Sequence, residues 1–449
     1  MIQKPIETSV LAKDAHVEFI KSTLKEIPTP FTALDSSRSW LSFWISNSMS
    51  MLNAPFEETE HKALIDTILS FQDPNGGFGG GPGQSAHLAS TFACTLALSS
   101  LLAKSEADLV QQTWSKVNRD GMYEWILTLK QSNGSFLMQK NGESDVRSCY
   151  CVLIVSTLLN FLTPELAIGL PDFVADSQTY EGGFSSGSST LKSLSNSQPF
   201  GSVPLGESHG GYTSCGVLSH FLLKSLSNTI PITSIDYEAC WRWLTSMQGL
   251  PIEGGGFRGR SNKLVDGCYA WWCGGLFPVI ENLIQEEINQ SKIEDEKDVF
   301  EFSNSSYDRR GLQEYVLLAS QGQPIPEGKG GLRDKPFMGV DIYHTHYVLS
   351  GLSSSQHFHQ FSLDKLQDLD RKFNSEIVLK NGIKGLNETD QIGIERMKKI
   401  YLNSLAWIDV KENQLVIGLD ENLIESIHPV FNISNQAVQV TMNYFYSQT

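Results

Sequence analysis

The chain has 449 residues, of which 40% are apolar and 19% are charged. This composition excludes a disordered or fibrous chain, and the length is sufficient for a large buried core. Asp and Glu number 50 against 34 Lys and Arg, which gives a formal net charge of −16. We therefore expect no nucleic-acid partner, because affinity for nucleic acid comes largely from neutralised phosphates.

The chain also lacks the patterns of a secreted or membrane protein. The first residues, MIQKPIETSVLAKDAH, contain no apolar segment typical of a signal peptide. The seven Cys are odd in number and scattered, which favours a reducing compartment. Polar residues interrupt the most apolar stretch, 151–173, so we interpret it as buried helices and expect no transmembrane segment. We predict a cytoplasmic protein.

After a predicted N-terminal arm over 1–35, a glycine-rich segment recurs along the chain. Its copies are QDPNGGFGG at 72–80, QSNGSF at 131–136, QTYEGGF at 178–184, QG with EGGGFRG at 248–259, and EGKGGL at 327–332. Each copy lies between an amphipathic stretch and a more apolar one. Because glycine permits the positive φ that ends a helix, each repeat predicts a helix, a turn and a second helix.

The two stretches of each repeat differ in their apolar pattern. Before the first turn, Leu64, Ile65, Ile68 and Leu69 form one helical stripe. After it, HLASTFACTLALSSLLA is apolar around most of its circumference and needs cover on both sides. We therefore predict an all-α fold, an α/α toroid: a closed ring of about six helical hairpins whose inner helices line a central cavity. It spans 36–449 as a single catalytic domain.

Each predicted inner helix begins with reactive polar residues, and a ring would bring these positions to one end of the cavity. They are His87; Asp145, Arg147 and Tyr150; His209 and Tyr212; Arg260, Lys263, Asp266, Cys268 and Tyr269; and Asp341, Tyr343 and His344. Taken singly, such residues are more often packing residues than ligand contacts. Their shared position in the repeat favours a common site.

Three chemical groups can be distinguished within that predicted site. Asp266, Cys268 and His344 offer a carboxylate, a thiolate and an imidazole, a set that suits a catalytic zinc with one open position. A cationic cluster suited to a diphosphate consists of His209, Arg260, Lys263 and Tyr269. Aromatic residues suited to a long apolar tail are Trp40, Trp44, Tyr150, Tyr212 and Trp272.

Several blocks resemble the protein farnesyltransferase β subunits, a CaaX prenyltransferase family. They are QDPNGGFGGGPGQSAHLAST, SDVRSCYC, ESHGGYTSCG, GGGFRGRSNKLVDGCYAWW, DKPFMGVDIYHTHYVLSGLS and HPVFNISNQAV. The resemblance implies an α/α toroid that acts with an α subunit as a heterodimer. It implies transfer of farnesyl from farnesyl diphosphate to the Cys of a C-terminal CaaX sequence in other proteins.

The resemblance also implies residue roles. Zinc would be held by Asp266, Cys268 and His344, and the diphosphate by His209, Arg260, Lys263 and Tyr269. The isoprenoid would contact Trp40, Arg147, Tyr150, Tyr212, Cys215 and Trp272. The CaaX peptide would contact Trp40, Trp44, Arg147 and Tyr343. Asp334 and Lys335 resemble the place where farnesyl enzymes put Mg²⁺ on the diphosphate.

Three features favour a farnesyl group over a geranylgeranyl group. Trp40 resembles the bulky residue that closes the lipid tunnel in farnesyl enzymes, Tyr347 matches the same type, and Asp334 stands where type I geranylgeranyl enzymes carry lysine. Two alternatives stay open. One is a geranylgeranyltransferase type I β subunit, and the other is a non-catalytic lipid-binding scaffold that kept the ring.

Against animal members of the family, the chain has three insertions. They lie near 185–205, 288–309 and 360–408 and are rich in Ser or charged residues. We predict that all three are surface loops.

Overall fold

The computed structural model describes residues 6–25, 29–192, 199–291, 305–321, 330–375 and 391–448. In these ranges the α-helices are α1 Lys13–Lys25, α2 Arg38–Met51, α3 Glu58–Leu69, α4 Leu88–Leu102, α5 Ala107–Trp114, α6 Arg119–Thr128, α7 Val146–Leu158, α8 Pro164–Ala167, α9 Leu170–Asp176, α10 Gly210–Lys224, α11 Tyr237–Ser246, α12 Tyr269–Trp272, α13 Phe277–Ser291, α14 Arg309–Tyr315, α15 Ile342–Gln356, α16 Leu363–Lys372, α17 Gln391–Leu405 and α18 Asn435–Tyr446. The strands are β1 Ser188–Lys192, β2 Pro199–Pro204, β3 His359–Phe361 and β4 Trp407–Asp409.

The inner layer is a closed ring of helices. Helices α2, α4, α7, α10, α12 and α15 each contact the next in this order, and α15 contacts α2. Every residue of α4 except Ala89 is buried, and every residue of α7 except Arg147. Both exceptions face the central cavity. The predicted all-α toroid with apolar inner helices is therefore confirmed.

The outer wall consists of helices that bury a single stripe. In α3 the buried residues are Leu64, Ile65 and Ile68, which belong to the predicted stripe. In α11 the buried residues are Tyr237, Cys240, Trp243 and Leu244, which also lie on one face of a helix. One buried stripe and one solvated face are what an outer helix of a two-layer ring requires.

The glycine turns connect the outer helices to the inner helices and contact the next outer helix. The aromatic or leucine position of each turn is at most 1% exposed, and these positions are Phe78, Phe136, Phe184, Phe257 and Leu332. Gln178 shows a role for the glutamine that recurs at the start of the turns. Its Oε1 accepts a hydrogen bond from Asp236 N at 2.8 Å, where α11 begins. Gly182 has φ +104, and a Cβ there would lie 2.1 Å from Ala239 O of the same helix. The turn of one hairpin thus requires glycine to seat the next outer helix.

Polar residues cap the inner helices at one end of the ring. His87, Asp145, His209 and Asp341 are the N-caps of α4, α7, α10 and α15, and each side chain accepts a hydrogen bond from a backbone amide. The predicted polar starts of the inner helices therefore stabilise the helices themselves. They also gather several helix N-termini, with their partial positive charge, at that end.

The chain's C-terminal segment closes the other end. Helix α18 packs against α4 and α7. Tyr446 Oη donates to Thr157 O at 2.9 Å, next to the last residue of α7, and Tyr150 Oη donates to Val430 O at 3.1 Å. Because Val430 is fully buried, this segment forms a floor below the cavity.

Within the part of the chain that the structure describes, the predicted insertions contain helices and strands. In the first, β1 and β2 form an antiparallel hairpin whose tip, 193–198, lies outside the described residues. In the second, α13 extends to Ser291, residues 292–304 lie outside the described residues, and Arg309 begins α14. In the third, the loop prediction is wrong for the described residues, because 360–408 contains α16, α17 and β4, and Trp407 is 1% exposed.

The segment predicted as an N-terminal arm contains α1, which packs against α2 and α15 and buries Ile20 completely. Buried His16 in the same helix accepts from Gly331 N through Nδ1 at 2.9 Å. Helix α1 therefore extends the outer wall across the joint between the first and last inner helices.

Candidate functional site

Asp266, Cys268 and His344 converge where α12 and α15 begin. Asp266 and Cys268 come directly before α12, and His344 lies in the first turn of α15. Their ligand atoms all lie within 4.8 Å of one another, and His344 Nε2 is 3.3 Å from Asp266 Oδ1. One carboxylate, one thiol and one imidazole around a common point suit a divalent cation with affinity for nitrogen and sulfur, such as zinc.

The charges of this trio also suit a cation. Burial raises the pKa of the Cys268 thiol to about 12. Burial alone would lower the pKa of His344, but hydrogen bonds with Asp266, Asp341 and Cys268 raise it to about 12. Burial alone would raise the pKa of the Asp266 carboxyl, but hydrogen bonds with His344 and Cys268 outweigh it and lower that pKa. A bound divalent cation would take the place of these protons, as it does in thiolate and imidazole sites generally.

Asp341 orients His344, a role that the sequence analysis did not assign. Its Oδ2 lies 2.6 Å from His344 Nδ1, and its Oδ1 accepts from His344 N at 2.8 Å. This contact turns His344 Nε2 toward Asp266 and Cys268. A carboxylate on the far nitrogen is the usual partner of a metal-binding imidazole. The signal in the sequence was an N-cap aspartate three residues before the histidine.

We expect Asp341→Asn to lower the zinc affinity of the protein about 10- to 100-fold, because the carboxylate that orients His344 is lost. Asparagine still caps a helix, so the melting temperature should change little. Competition titration with a chelator measures the affinity. Asp236→Asn, a matched N-cap change on the outer helix α11, should leave it unchanged, and equal affinities in both variants would contradict the assigned role.

The cationic residues lie on neighbouring segments at the same end. His209 caps α10, and its Nε2 is 3.0 Å from Tyr269 Oη at the start of α12. Arg260 pairs with the carboxylate of Glu207. Lys263 is exposed on the turn that precedes Asp266. The structure thus brings His209 and Tyr269 into direct contact and puts Arg260 and Lys263 on the adjoining turn.

A cavity of about 440 Å³ occupies the ring beside the trio. It is lined by these predicted lipid, peptide and diphosphate residues: Trp40, Trp44, Arg147, Tyr150, His209, Tyr212, Cys215, Tyr269, Trp272 and Tyr343. The sequence analysis did not assign Phe92 or Cys151 to this lining. Both lie in apolar runs of the inner helices, where cavity-facing and core positions look alike.

Within the described ranges, no helix is long and apolar enough to cross a membrane.

Comparison with known proteins identifies the family. A family model described as the prenyltransferase α/α toroid domain matches residues 11–433. The protein farnesyltransferase β subunit of Schizosaccharomyces pombe is 34% identical to this chain. The match covers 76% of this chain and 77% of the length of that protein. This chain belongs to the protein farnesyltransferase β subunits.

A further relative agrees with that family, and a solved structure agrees with the fold. The farnesyltransferase β subunit of Pyricularia oryzae is 38% identical over 76% of this chain, and the match spans 62% of that protein's length. The solved Candida albicans protein geranylgeranyltransferase-I has a TM-score of 0.56 at 22% identity, covering 77% of this chain and 91% of its own, which supports the fold alone. The predicted resemblance and fold are thus confirmed.

In this farnesyltransferase-family chain, aromatic rings connect the cavity to the trio. Trp40 stacks on Trp44 with ring centroids 5.7 Å apart, and Trp44 meets Tyr343 edge-on at 5.4 Å. Tyr343 Oη accepts from Trp272 Nε1 at 3.3 Å, and Tyr347 lies over Trp272 at 4.7 Å. Because Tyr343 directly precedes His344, these aromatic rings extend from the cavity to the trio.

One charged residue lines the cavity, and another adjoins the trio. Arg147 is fixed by Asp145, whose Oδ2 accepts from Nη2 at 2.6 Å and whose Oδ1 accepts from Nε at 3.0 Å. Asp334 forms an ion pair with Lys335, and its backbone oxygen accepts from Gly267 N at 2.6 Å. Since Gly267 lies between Asp266 and Cys268, the predicted magnesium residue adjoins the trio.

Proposed function

We propose that this chain is the catalytic β subunit of a heterodimeric, cytoplasmic protein farnesyltransferase. With an α subunit, it transfers farnesyl from farnesyl diphosphate to the Cys of a C-terminal CaaX sequence. The supporting relatives are farnesyltransferase β subunits at 34% and 38% identity. One observation carries the proposal: a carboxylate, thiol and imidazole trio adjoins an aromatic cavity whose lining includes His209 and Tyr269.

Asp266, Cys268 and His344 would hold one Zn²⁺, which supplies the charge that keeps a substrate thiol deprotonated near neutral pH. Asp341 orients His344 through the 2.6 Å contact between Oδ2 and Nδ1. The thioether forms when the substrate sulfur bonds to C1 of the farnesyl group and the C1–O bond to the diphosphate breaks.

The cationic cluster binds the leaving group. As the C1–O bond breaks, negative charge grows on the diphosphate oxygen. His209, Arg260, Lys263 and Tyr269 donate hydrogen bonds or positive charge at that place, where stabilisation lowers the barrier rather than only improving binding. The N-terminus of α10, capped by His209, adds a favourable dipole.

The cavity wall positions both substrates. Tyr150, Tyr212, Cys215 and Trp272 line the path of the farnesyl chain, and Trp40 closes it. Trp44 and Tyr343 contact the apolar residues of CaaX. Arg147, fixed by Asp145, lies near the lipid and the peptide carboxylate. The apolar lining keeps water from the reacting atoms.

Mg²⁺ is assigned to the diphosphate through Asp334, whose carboxylate pairs with Lys335. We expect Asp334→Asn to lose most of the rate increase that Mg²⁺ gives, because a neutral amide is a weaker magnesium ligand than a carboxylate. Initial transfer rates with and without Mg²⁺ measure this. Asp73→Asn, a change in the first glycine turn, is the control. Full stimulation in Asp334→Asn would argue against the assignment.

The function is tested by co-expressing the chain with a prenyltransferase α subunit. Farnesyl and geranylgeranyl diphosphate then compete for CaaX peptides ending in Met or in Leu. Farnesyl transfer to the Met peptide supports the proposal. Preferred geranylgeranyl transfer to the Leu peptide would make the chain a type I β subunit instead. No transfer from a well-formed heterodimer would favour the lipid-binding scaffold.

A further inference from the structure

A carboxylate lies next to the cationic cluster and pairs with one of its members. Glu207 lies two residues before His209 and accepts a hydrogen bond from Arg260 through its Oε1. Both side chains are partly exposed, Arg260 by 39% and Glu207 by 52%. In this structure, a cation assigned to the diphosphate is therefore paired with a carboxylate.

The pair is not needed to hold its two segments together. Gly210 N donates to Gly259 O at 2.7 Å, which links the start of α10 to the turn that carries Arg260. Glu181 reinforces the first segment, because its Oε2 accepts from Ser208 N at 2.9 Å. These contacts fix the position of Glu207 independently of its contact with Arg260.

The ion pair between Glu207 and Arg260 is weak enough for a diphosphate to replace Glu207 as the partner of Arg260. An exposed ion pair contributes at most about 1 kcal/mol to stability. A diphosphate carries more negative charge than one carboxylate and can accept two parallel hydrogen bonds from a guanidinium. The two anions compete for Arg260 Nη1, which Glu207 occupies in this structure. Diphosphate should win this competition, but its net affinity is reduced by the pair it displaces.

We propose that Glu207 is a positioning residue that holds Arg260 while the diphosphate site is empty and yields it when diphosphate binds. The inference rests on the proposed function. It has two consequences for the reaction. Prenyl diphosphate binds less tightly than the cationic cluster alone would allow, and the product diphosphate leaves more readily because Glu207 regains Arg260.

The test uses the heterodimer carrying Glu207→Gln and two probes, farnesyl diphosphate and inorganic diphosphate. We expect Kd to fall about three- to fivefold for both probes, the range that loss of a competing pair worth up to about 1 kcal/mol allows. KM for farnesyl diphosphate should fall, product inhibition by inorganic diphosphate should strengthen, and the gain should shrink at high salt. A merely structural role would raise Kd or leave it unchanged.

Glu238→Gln is the matched control, because it breaks another exposed Arg–Glu pair, with Arg242 on the outer helix α11, and leaves Glu207 and Arg260 unchanged. Its Kd values should stay near those of the parent heterodimer. A second variant tests whether Glu207 acts through Arg260. In an Arg260→Gln background, Glu207→Gln should give no further gain. A gain of equal size in that background would mean simple repulsion of the diphosphate and would overturn the proposal.

The outcomes separate the inference from the function on which it rests. Prenyl transfer by the parent heterodimer, with Kd unchanged or weaker in Glu207→Gln, rejects the role of Glu207 alone. Absence of transfer in the parent heterodimer rejects the proposed function, and the inference with it. Thermal melting of each variant shows whether it is folded.

Discussion

Cys268→Ala should remove stoichiometric zinc from the heterodimer and lower prenyl transfer more than about 100-fold. Changes to partners of metal ligands already cost 10- to 100-fold, and Cys268 is a candidate ligand itself. The loss should come from the missing thiolate rather than from unfolding, because the side chain is small and Asp266 and His344 remain paired by their 3.3 Å contact. Metal analysis of the purified heterodimer and single-turnover transfer rates measure the two effects.

Cys240→Ala is the control for this change. Cys240 is also buried, but it lies on the outer helix α11, away from the trio. That variant should keep one zinc per heterodimer and its transfer rate. Stoichiometric zinc retained in Cys268→Ala would remove Cys268 from the ligand set.

Trp40→Thr should shift the lipid preference of the enzyme toward geranylgeranyl diphosphate. Trp40 stacks on Trp44 at 5.7 Å and lies 5.7 Å from the ring of Phe92, so its indole fills the wall between α2 and α4. Threonine would leave room for more of the longer chain. A single methylene changes discrimination by about tenfold or more, so the ratio of kcat/KM values should move at least about tenfold. Competition between the two diphosphates measures it.

Trp40→Phe is the matched control, because phenylalanine keeps a bulky ring at this position and should keep the farnesyl preference. If Trp40→Thr also keeps that preference, the wall residue does not limit the chain length. Tyr347, which lies over Trp272, would then be the next residue to change.

The sequence predicts the ring and the trio because both follow from a repeat. Each glycine turn marks a hairpin, and residues at equivalent points of successive hairpins reach the same end of a closed ring. Asp266 and His344 are 78 residues apart in the chain, yet both lie at such points. Composition alone would not have joined them.

The sequence does not reveal contacts that depend on exact side-chain direction. An aspartate three residues before His344 is visible in the sequence, but the hydrogen bond that Asp341 Oδ2 accepts from His344 Nδ1 depends on a side-chain direction that residue types cannot specify. The pairing of Glu207 with Arg260 joins two different turns, and nothing in either turn indicates it. Each contact depends on how neighbouring hairpins are packed.

Composition also misleads in the third insertion. Charged residues make up most of α16, which favours a solvated loop. Ile400, Tyr401 and Trp407 are nevertheless buried. A few large apolar residues pack this segment against the ring. In the sequence they are outnumbered by charged residues, so the local composition indicates a loop. Tertiary packing overrides the local signal here.

The contact between α2 and α15 has a consequence for how the protein is made. Asn47 Nδ2 lies 3.0 Å from His346 Nε2, and these residues are 299 positions apart in the chain. At about 5–20 residues per second, a ribosome needs roughly 15–60 s to make the chain between them. During that time the apolar face of α2 has no partner from α15. Nascent chains should therefore require chaperones until the last inner helix has emerged.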